Sequence, residues 1–531
     1  MIRIHQVMCP LSGTPDRKHI AKKLRCSPQD ILSFEIERES LDARGDRLAF
    51  SYTVLADVRR PERFLRMKDV SEGRKEAYCL PLPEKEADRP LVAGFGPAGM
   101  FAALILAEAG MRPVVIERGR PAEERAKDVE AYFREGILDP ESNVQYGEGG
   151  AGTFSDGKLT TRIKNNVRIQ KVYEELTEAG ADPRIRYQAR PHLGTDALQK
   201  IVPEIRKKIL SLQGEILFSC RLESLDIRNG QLQGVHTSKG YIPCTDAVLA
   251  LGHSAFETFS SLLSQGIVIE QKDFAAGVRV EHPQAMIDRR QYGEYAGHPA
   301  LSAASYSLTF RSSNGRGVYS FCMCPGGTVI PVSTEEGALA VNGMSYAARS
   351  GQNANSAILV QIPKKDFDRG HPLDGFLAQR ALEQKAYRDG FRAPAMNIRD
   401  YMEQRAPGET VIPSTFPRGI LMEDMHRLFS DPVNASLQEG FLDFDRKIPG
   451  FIQNGIMVGA ETRSSSPVRM VRTDSGESIS CAGVYPCGEG AGYAGGIVSS
   501  AVDGIRQAEN IIRRYGIRET REPEGQEDRL K

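Results

Sequence analysis

The feature that most constrains this chain is a glycine-rich turn between a short apolar strand and a helix. Residues 91–93 (LVA) run into GFGPAG at 94–99, and a second strand after the helix ends at Glu117. In a βαβ unit the first glycine permits a tight turn, the second lets backbone approach a pyrophosphate, and the third lets the helix pack on the sheet. With a helix N-terminus and an acid after the next strand, this predicts a parallel α/β sheet that binds a dinucleotide. The expected contacts are Gly94, Gly96, Pro97, Ala98, Gly99, Glu117 and Arg118.

Three further features favour FAD over NAD as that dinucleotide. Three antiparallel strands are predicted over 216–245, followed by an apolar strand at 247–252. Residues 147–158 are rich in glycine and hydroxyls, which suits a loop along a ribityl chain. Residues 485–497 precede a predicted helix at 498–515, whose start can face the flavin edge that gains negative charge on reduction. The expected contacts are Gly149, Gly150, Gly152, Thr153, Lys158, Gly252, Gly488, Glu489, Gly495, Gly496 and Ile497.

Changes in patterning divide the chain into domains. We predict an α/β fold with a split, Rossmann-like FAD-binding domain, made of a βαβ unit and a three-stranded β-meander. A large inserted α+β domain interrupts it, and a small α+β domain precedes it. The predicted ranges are 1–80 for the small N-terminal domain, 81–90 for a Pro-rich linker, 91–255 and 451–516 for the two parts of the FAD-binding domain, 256–450 for the inserted domain, and 517–531 for a charged tail.

Composition restricts the function classes. Lys plus Arg and Asp plus Glu are both 69, so the net charge is zero, which disfavours general binding of nucleic acid. The nine cysteines are scattered and contain no CxxC pair, which argues against a disulfide framework or a zinc site, and no metal site is predicted. No signal peptide or long apolar segment is visible in the sequence, so we expect a cytoplasmic protein without membrane contact.

Several motifs together resemble one family. They are GEGGAGTFSDGK at 147–158, PHLGTD at 191–196, ALGHSA at 250–255, FCMCPGG at 321–327, VNGMS at 341–345, ETRSSSP at 461–467 and GEGAGYAGGI at 488–497. They resemble bacterial FAD-dependent dehydrogenases of undefined substrate, and the resemblance reaches from ESLDAR at 39–44 to about residue 510. It implies a glutathione-reductase-like FAD fold with a split FAD domain and an inserted domain.

Few residues stand out as candidates for the chemistry. Cys322 and Cys324 are two positions apart, so both side chains would face the same side of a strand. They could form a redox pair or be two buried thiols. The second interpretation is favoured because free cysteine is among the most buried residue types. Arg463 could hold a substrate carboxylate or satisfy loop carbonyls. His192 could act as a general base, although a loop histidine near a helix start is the simpler interpretation, and His253 is expected near the adenine side. No catalytic residue is assigned.

The leading interpretation is an FAD-dependent oxidoreductase that transfers a hydride or electron pair between non-covalently bound FAD and a small organic substrate. There is no second dinucleotide fingerprint, so NADH or NADPH would bind only transiently as an electron donor. Two alternatives stay open. One is an RNA-modifying flavoprotein, which a neutral chain disfavours. The other is a non-enzymatic FAD-binding protein whose N-terminal domain recruits a protein partner.

Overall fold

The N-terminal part is an antiparallel sheet with its own hydrophobic core. The computed structural model describes residues 1–43, 48–86, 88–163 and 166–518, so nearly all of the predicted tail at 517–531 lies outside the described residues. The strands pair in the order β2-β3-β1-β4, and α1 packs on the core of this sheet. The elements are β1 (Ile2–Pro10), α1 (Arg17–Leu24), β2 (Ile31–Asp42), β3 (Ala49–Val58) and β4 (Val70–Glu72).

The next region alternates short strands with helices and contains an antiparallel meander. Its elements are β5 (Leu91–Ala93), α2 (Pro97–Glu108), β6 (Val114–Ile116), α3 (Ala122–Glu135), α4 (Val167–Glu178), α5 (Thr195–Ser211), β7 (Glu215–Leu217), β8 (Leu222–Arg228), β9 (Gln231–Thr237), β10 (Gly240–Pro243), β11 (Ala247–Leu249), α6 (Phe256–Ser264) and β12 (Ile269–Gln271). Strands β8, β9 and β10 form the predicted three-stranded meander. Ile216, which was predicted in the meander, instead lies in β7 and pairs in parallel with β6.

A long mixed sheet forms the centre of the following region. Its elements are β13 (Phe274–Pro283), α7 (Gln284–Tyr292), β14 (Thr309–Arg311), β15 (Gly317–Cys324), β16 (Thr328–Pro331), β17 (Val341–Met344), β18 (Asn353–Ile362), α8 (Asp374–Ala386), β19 (Ala393–Asn397), α9 (Ile398–Met402), β20 (Ile420–Met422), α10 (Asp431–Lys447) and β21 (Ile456–Glu461). Among the described residues the strand order is β14-β15-β18-β13-β21-β19-β20. Helix α10 packs on this sheet through a cluster that contains Phe441, Phe444 and Phe451.

The C-terminal segment returns to the first sheet and completes it. Its elements are β22 (Val468–Met470), β23 (Val484–Pro486) and α11 (Ile497–Arg514). A parallel sheet with the order β23-β11-β5-β6-β7 results, as the fingerprint predicts. Val92 and Val115 point to the layer of α2, α5 and α11, whereas Leu91 and Leu249 point to the meander. Both faces of the sheet are therefore buried, which explains the unbroken apolar strands.

The sheets cross two of the predicted domain boundaries. Helix α6 packs on β8, and β12 pairs with β22, so residues 256–271 lie with the FAD-binding layers rather than with the inserted domain. Strand β21 lies beyond the predicted boundary at 450, yet it pairs with β13 and β19 in the inserted sheet. All six residues of β21 are buried. A strand buried on both faces has the same apolar pattern in either sheet, so sequence patterning could not assign it.

Candidate functional site

A cleft of about 1290 Å³ lies at the carboxyl ends of β5, β6 and β11 and extends to strands β14 and β15 of the inserted sheet. Open α/β sheets bind ligands at this end of their strands. Most of the predicted cofactor residues line the cleft, namely Gly94, Gly96, Pro97, Ala98, Glu117, Arg118, Gly150, Gly152, Lys158, Gly252, Glu489, Gly495, Gly496 and Ile497. Gly99, Gly149, Thr153 and Gly488 are not part of this lining.

The three glycines of the fingerprint turn have different structural roles. Gly94 has a φ of 99°, and a Cβ there would clash with the carbonyl oxygen of Ala250. A Cβ on Gly99 would clash with the carbonyl oxygen of Gly94, so Gly99 serves helix packing. A Cβ on Gly96 would meet only the Cα of Gly150, at 3.7 Å. Gly96 is therefore dispensable for the fold and leaves open space where a cofactor backbone can approach.

The glycine-rich loop at 147–152 is held by a buried arginine that sequence reasoning missed. Arg125 on α3 is 0% exposed, and its guanidinium donates to backbone carbonyls of residues 143, 144, 147, 148 and 150 at 2.6–3.3 Å. Burial lowers the pKa of Arg125 to about 10. Gly147, Gly149 and Gly150 all have positive φ. The arginine therefore fixes a loop whose glycines would otherwise have wide conformational freedom.

Glu117 has more backbone partners than the sequence suggests. Its Oε2 accepts the N–H of Phe95 at 2.7 Å, and its Oε1 accepts the N–H groups of Gly119 and Gly147 at 2.8 and 2.9 Å. A carboxylate offers about four lone-pair positions, so one is left for a ribose hydroxyl. Glu117 thus ties the fingerprint turn to the loop at 147–152, and its predicted contact with ribose stays a prediction.

The C-terminal glycine segment is anchored from α11. Asp503 accepts the N–H of Gly488 at 2.8 Å and forms an ion pair with Arg472 at 2.7 Å. The Arg472 guanidinium lies 3.6 Å from the ring centroid of Tyr493. Gly495 has open space where a Cβ would lie, and the first turn of α11 follows at Ile497. The segment therefore presents bare backbone and the positive end of a helix to the cleft.

Glu489 is an acid in the cleft with an altered titration. Burial raises the pKa of Glu489 to about 7, and Lys272 only partly opposes this effect. An acid with a raised folded-state pKa stabilises the fold below its unfolded pKa and loses that contribution as the pH rises through about 7. In cofactor-free protein, we expect Glu489→Gln to match wild type in thermal midpoint at pH ~4 and to exceed it at pH ~8. If the thermal midpoints of wild type and Glu489→Gln changed with pH in the same way, the raised pKa of Glu489 would be contradicted.

The other polar candidates, Arg463, His192 and His253, each contact another group of the protein. Arg463 lines the cleft, but its Nε and Nη2 form a bidentate pair with Glu383 at 2.9 and 2.7 Å, so its fork is not available to a substrate carboxylate. His192 lies outside the cleft lining, 3.1 Å from the carbonyl of Ala347, which favours the loop interpretation. His253 is buried beside Gln379, and burial lowers its pKa to about 4.

The paired cysteines differ from the expectation for a regular strand. Pairing of β15 with β18 shifts register between Phe321 and Cys324, and Cys322 has a φ of 42°. Cys322 lines the cleft, while Cys324 is fully buried. The prediction that both face one side of a strand is wrong, because this bulge breaks the two-residue alternation.

The structure also supplies cleft residues that the sequence did not indicate. They come from β14 and β15 and include Phe310, Tyr319 and Phe321. Tyr146 contributes a ring that lies 4.2 Å from the guanidinium carbon of Arg118. No motif marks these positions. Only the tertiary structure reveals them, because an edge of the inserted sheet, distant in sequence, forms one end of the cleft.

The residues present fit FAD. Glycines without side chains lie at both helix starts that face the cleft, and the cleft volume exceeds the ~300–1,000 Å³ that is typical of drug-sized ligands. Two helix N-termini suit the diphosphate and the electron-rich edge of a flavin. Within the described ranges, no group of three or more His, Cys, Asp or Glu side chains is arranged for a metal ion.

Comparisons with known proteins agree with this site. Residues 273–464 match the family model described as FAD-dependent protein, C-terminal domain-like, and residues 1–57 match a domain of unknown function. An uncharacterised protein from Clostridium beijerinckii is 44% identical, with 97% of this chain and 99% of that protein aligned. Over the part of the chain that is described, no helix has the length and apolar character needed to cross a membrane.

Solved structures with lower similarity include an amino-acid dehydrogenase and an amino-acid oxidase. L-proline dehydrogenase from P. horikoshii has a TM-score of 0.37 and 14% identity over 81% of this chain and 94% of its own. Glycine oxidase from Bacillus cereus has a TM-score of 0.32 and 12% identity over 80% of this chain and 95% of its own. The family model and the C. beijerinckii relative carry the assignment: the chain belongs to the bacterial FAD-dependent oxidoreductase family whose motifs its sequence displays.

Proposed function

We propose that this oxidoreductase transfers a hydride or electron pair between non-covalently bound FAD and a small organic substrate. The observation that carries the proposal is the extent of the cleft. It continues past the fingerprint turn and the C-terminal glycine segment to β14 and β15. A redox substrate requires a second compartment next to the cofactor, because the protein has to position the substrate against the reactive ring.

The lining of that compartment indicates the substrate's character. Phe310, Tyr319 and Phe321 provide aromatic surface, and Ser307 provides a hydroxyl. Pockets that are mainly apolar, with a few polar groups, orient small organic molecules. We propose that the substrate binds there and that NADH or NADPH, if it is the electron donor, enters the same compartment transiently.

The test is anaerobic reduction of the purified holoprotein. NADH, NADPH and a panel of small amines, hydroxy acids and thiols are added, and the flavin absorbance near ~450 nm is followed. We expect at least one compound to bleach it, and Phe321→Ala to slow the bleaching without lowering FAD content. Tyr346→Ala, which removes a ring that is 56% exposed and outside the cleft lining, is the matched control. If none of these compounds reduced the flavin and only dithionite did, the non-enzymatic alternative would be favoured.

A further inference from the structure

Two thiols meet at the bulge of β15, at the end of the cleft assigned to the substrate. Cys322 faces the cleft, and Cys324 lies directly beneath it, with its Sγ 3.2 Å from the Cys322 carbonyl oxygen. The Cys324 thiol donates its hydrogen bond to that carbonyl oxygen. All nine cysteines lie among the described residues, and each is a free thiol. The bulge therefore places a cysteine that lines the cleft beside a cysteine that is buried.

A buried arginine holds this pair in place. Arg279 on β13 is 0% exposed and donates to the Cys322 carbonyl at 2.6 Å and to the Cys324 sulfur at 3.3 Å. Its remaining donors bind Asn355 at 2.9 Å and Glu461 at 2.8 Å. A Cβ on Gly343 would clash with the same guanidinium, so that glycine makes room for it. The arrangement brings a fixed positive charge to the Cys324 sulfur and to the backbone of Cys322.

The electrostatics separate the two thiols. The neighbouring Cys324 thiol and the charges of Arg279 and Lys158 lower the pKa of Cys322, against burial. Burial and the neighbouring Cys322 raise the pKa of Cys324. These opposite directions favour a thiolate at Cys322 and a neutral thiol at Cys324. A thiolate next to a thiol is the starting state for thiol–disulfide exchange.

We propose that Cys322 and Cys324 form a redox-active dithiol that passes electron pairs between FAD and a small disulfide or thiol compound. This inference rests on the proposed function and names its substrate class. The geometry alone motivates it: a cysteine that lines the substrate end of the FAD cleft, a buried cysteine beside it, and a buried cation against the Cys324 sulfur.

The exchange with a small disulfide takes place in two steps. The Cys322 thiolate attacks one sulfur of the disulfide, which forms a mixed disulfide and releases the first thiolate product. Cys324 gives up its proton and attacks the Cys322 sulfur, which closes the Cys322–Cys324 disulfide and releases the second product. The proton of Cys324 leaves with the second product, and a proton from solvent converts the first thiolate product into a thiol. Two electrons and a proton from reduced FAD then restore the Cys322 thiolate and the Cys324 thiol. The substrate disulfide is reduced to two thiols, and FAD is oxidised.

An anaerobic reductive titration with dithionite, starting from air-oxidised holoprotein, tests the dithiol. Flavin alone takes up about two electrons per FAD, and flavin with a disulfide takes up about four. We expect about four for wild type and about two for both Cys322→Ser and Cys324→Ser. Cys79→Ser removes an exposed cysteine far along the chain from the pair, and we expect it to keep the wild-type value. About two electrons for wild type would overturn the proposal.

Two further readouts protect the test against a misfolded variant. In wild type, hydroxyethyl disulfide should reoxidise the reduced protein and leave a Cys322–Cys324 disulfide that is visible by peptide mass spectrometry. Reoxidation at the same rate in Cys322→Ser would overturn the substrate class. A preparation that binds no FAD would contradict the family's cofactor and with it the proposed function. An FAD-containing protein that lacks the extra electrons would contradict the dithiol alone.

Discussion

Gly99→Ala should abolish FAD binding by disrupting the fold around the fingerprint. The new Cβ would clash with the carbonyl oxygen of Gly94 and approach Val92 to 3.2 Å. Helix α2 would have to move away from the sheet, although ten of its residues are buried. Overpacking against backbone costs about 3 kcal/mol or more, because neither neighbour can turn aside. Chemical unfolding and the FAD content of the purified variant measure the effect.

Two alanine variants separate folding from binding. Gly96→Ala adds a methyl group that meets only the Cα of Gly150 at 3.7 Å, so stability should stay near wild type. FAD affinity should fall about tenfold or more, since the methyl occupies space left for the cofactor. Gly13→Ala in the N-terminal part, where a Cβ would meet only Pro10 at 3.5 Å or more, is the control for introducing a Cβ away from the cleft. Normal FAD content in Gly99→Ala would contradict the packing role of that glycine.

Arg125→Met should be nearly as damaging, although Arg125 belongs to no recognisable motif. The substitution keeps apolar volume but leaves five buried carbonyls without their donor. Losing charged hydrogen bonds of this kind costs about 3–5 kcal/mol. The loop at 147–152 should lose its conformation, and FAD affinity should fall with it.

The matched control is Arg134→Met on the same helix. Its side chain is 75% exposed and forms only a surface pair with Glu130, worth about 0.3–0.5 kcal/mol. Protease sensitivity of the 143–150 segment and the FAD dissociation constant report on the loop directly. If Arg125→Met retained both wild-type values, the loop would hold its shape without the arginine.

The sequence predicted local features better than distant ones. The strand–turn–helix at 91–108 and the start of α11 follow from glycine chemistry and periodicity, which act within a few residues. The donors of Arg125 reach carbonyls 18 to 25 positions away, and nothing in its own helix distinguishes it from Arg134. A distant partner therefore determined its role.

Side-chain partners and irregular strands explain the remaining differences. Arginine is a residue type that binds substrate carboxylates, but the guanidinium of Arg463 is already paired with Glu383, 80 positions earlier in the chain. Cys322 and Cys324 have strand spacing, but a bulge opposite β18 turns one into the cleft and leaves the other beneath it. Bulges carry no sequence signature when the bulged residue is not glycine. Both corrections concern the end of the cleft formed by the inserted sheet.

The central claim is that the cleft binds FAD at the fingerprint turn, and the most direct measurement is the flavin released from the purified protein on denaturation. We predict about one FAD per chain, with absorption near ~375 and ~450 nm before release. We also predict that cofactor-free Gly96→Ala folds like wild type but requires more added FAD to regain the spectrum. A colourless wild-type protein that stays colourless after FAD is added would contradict the account.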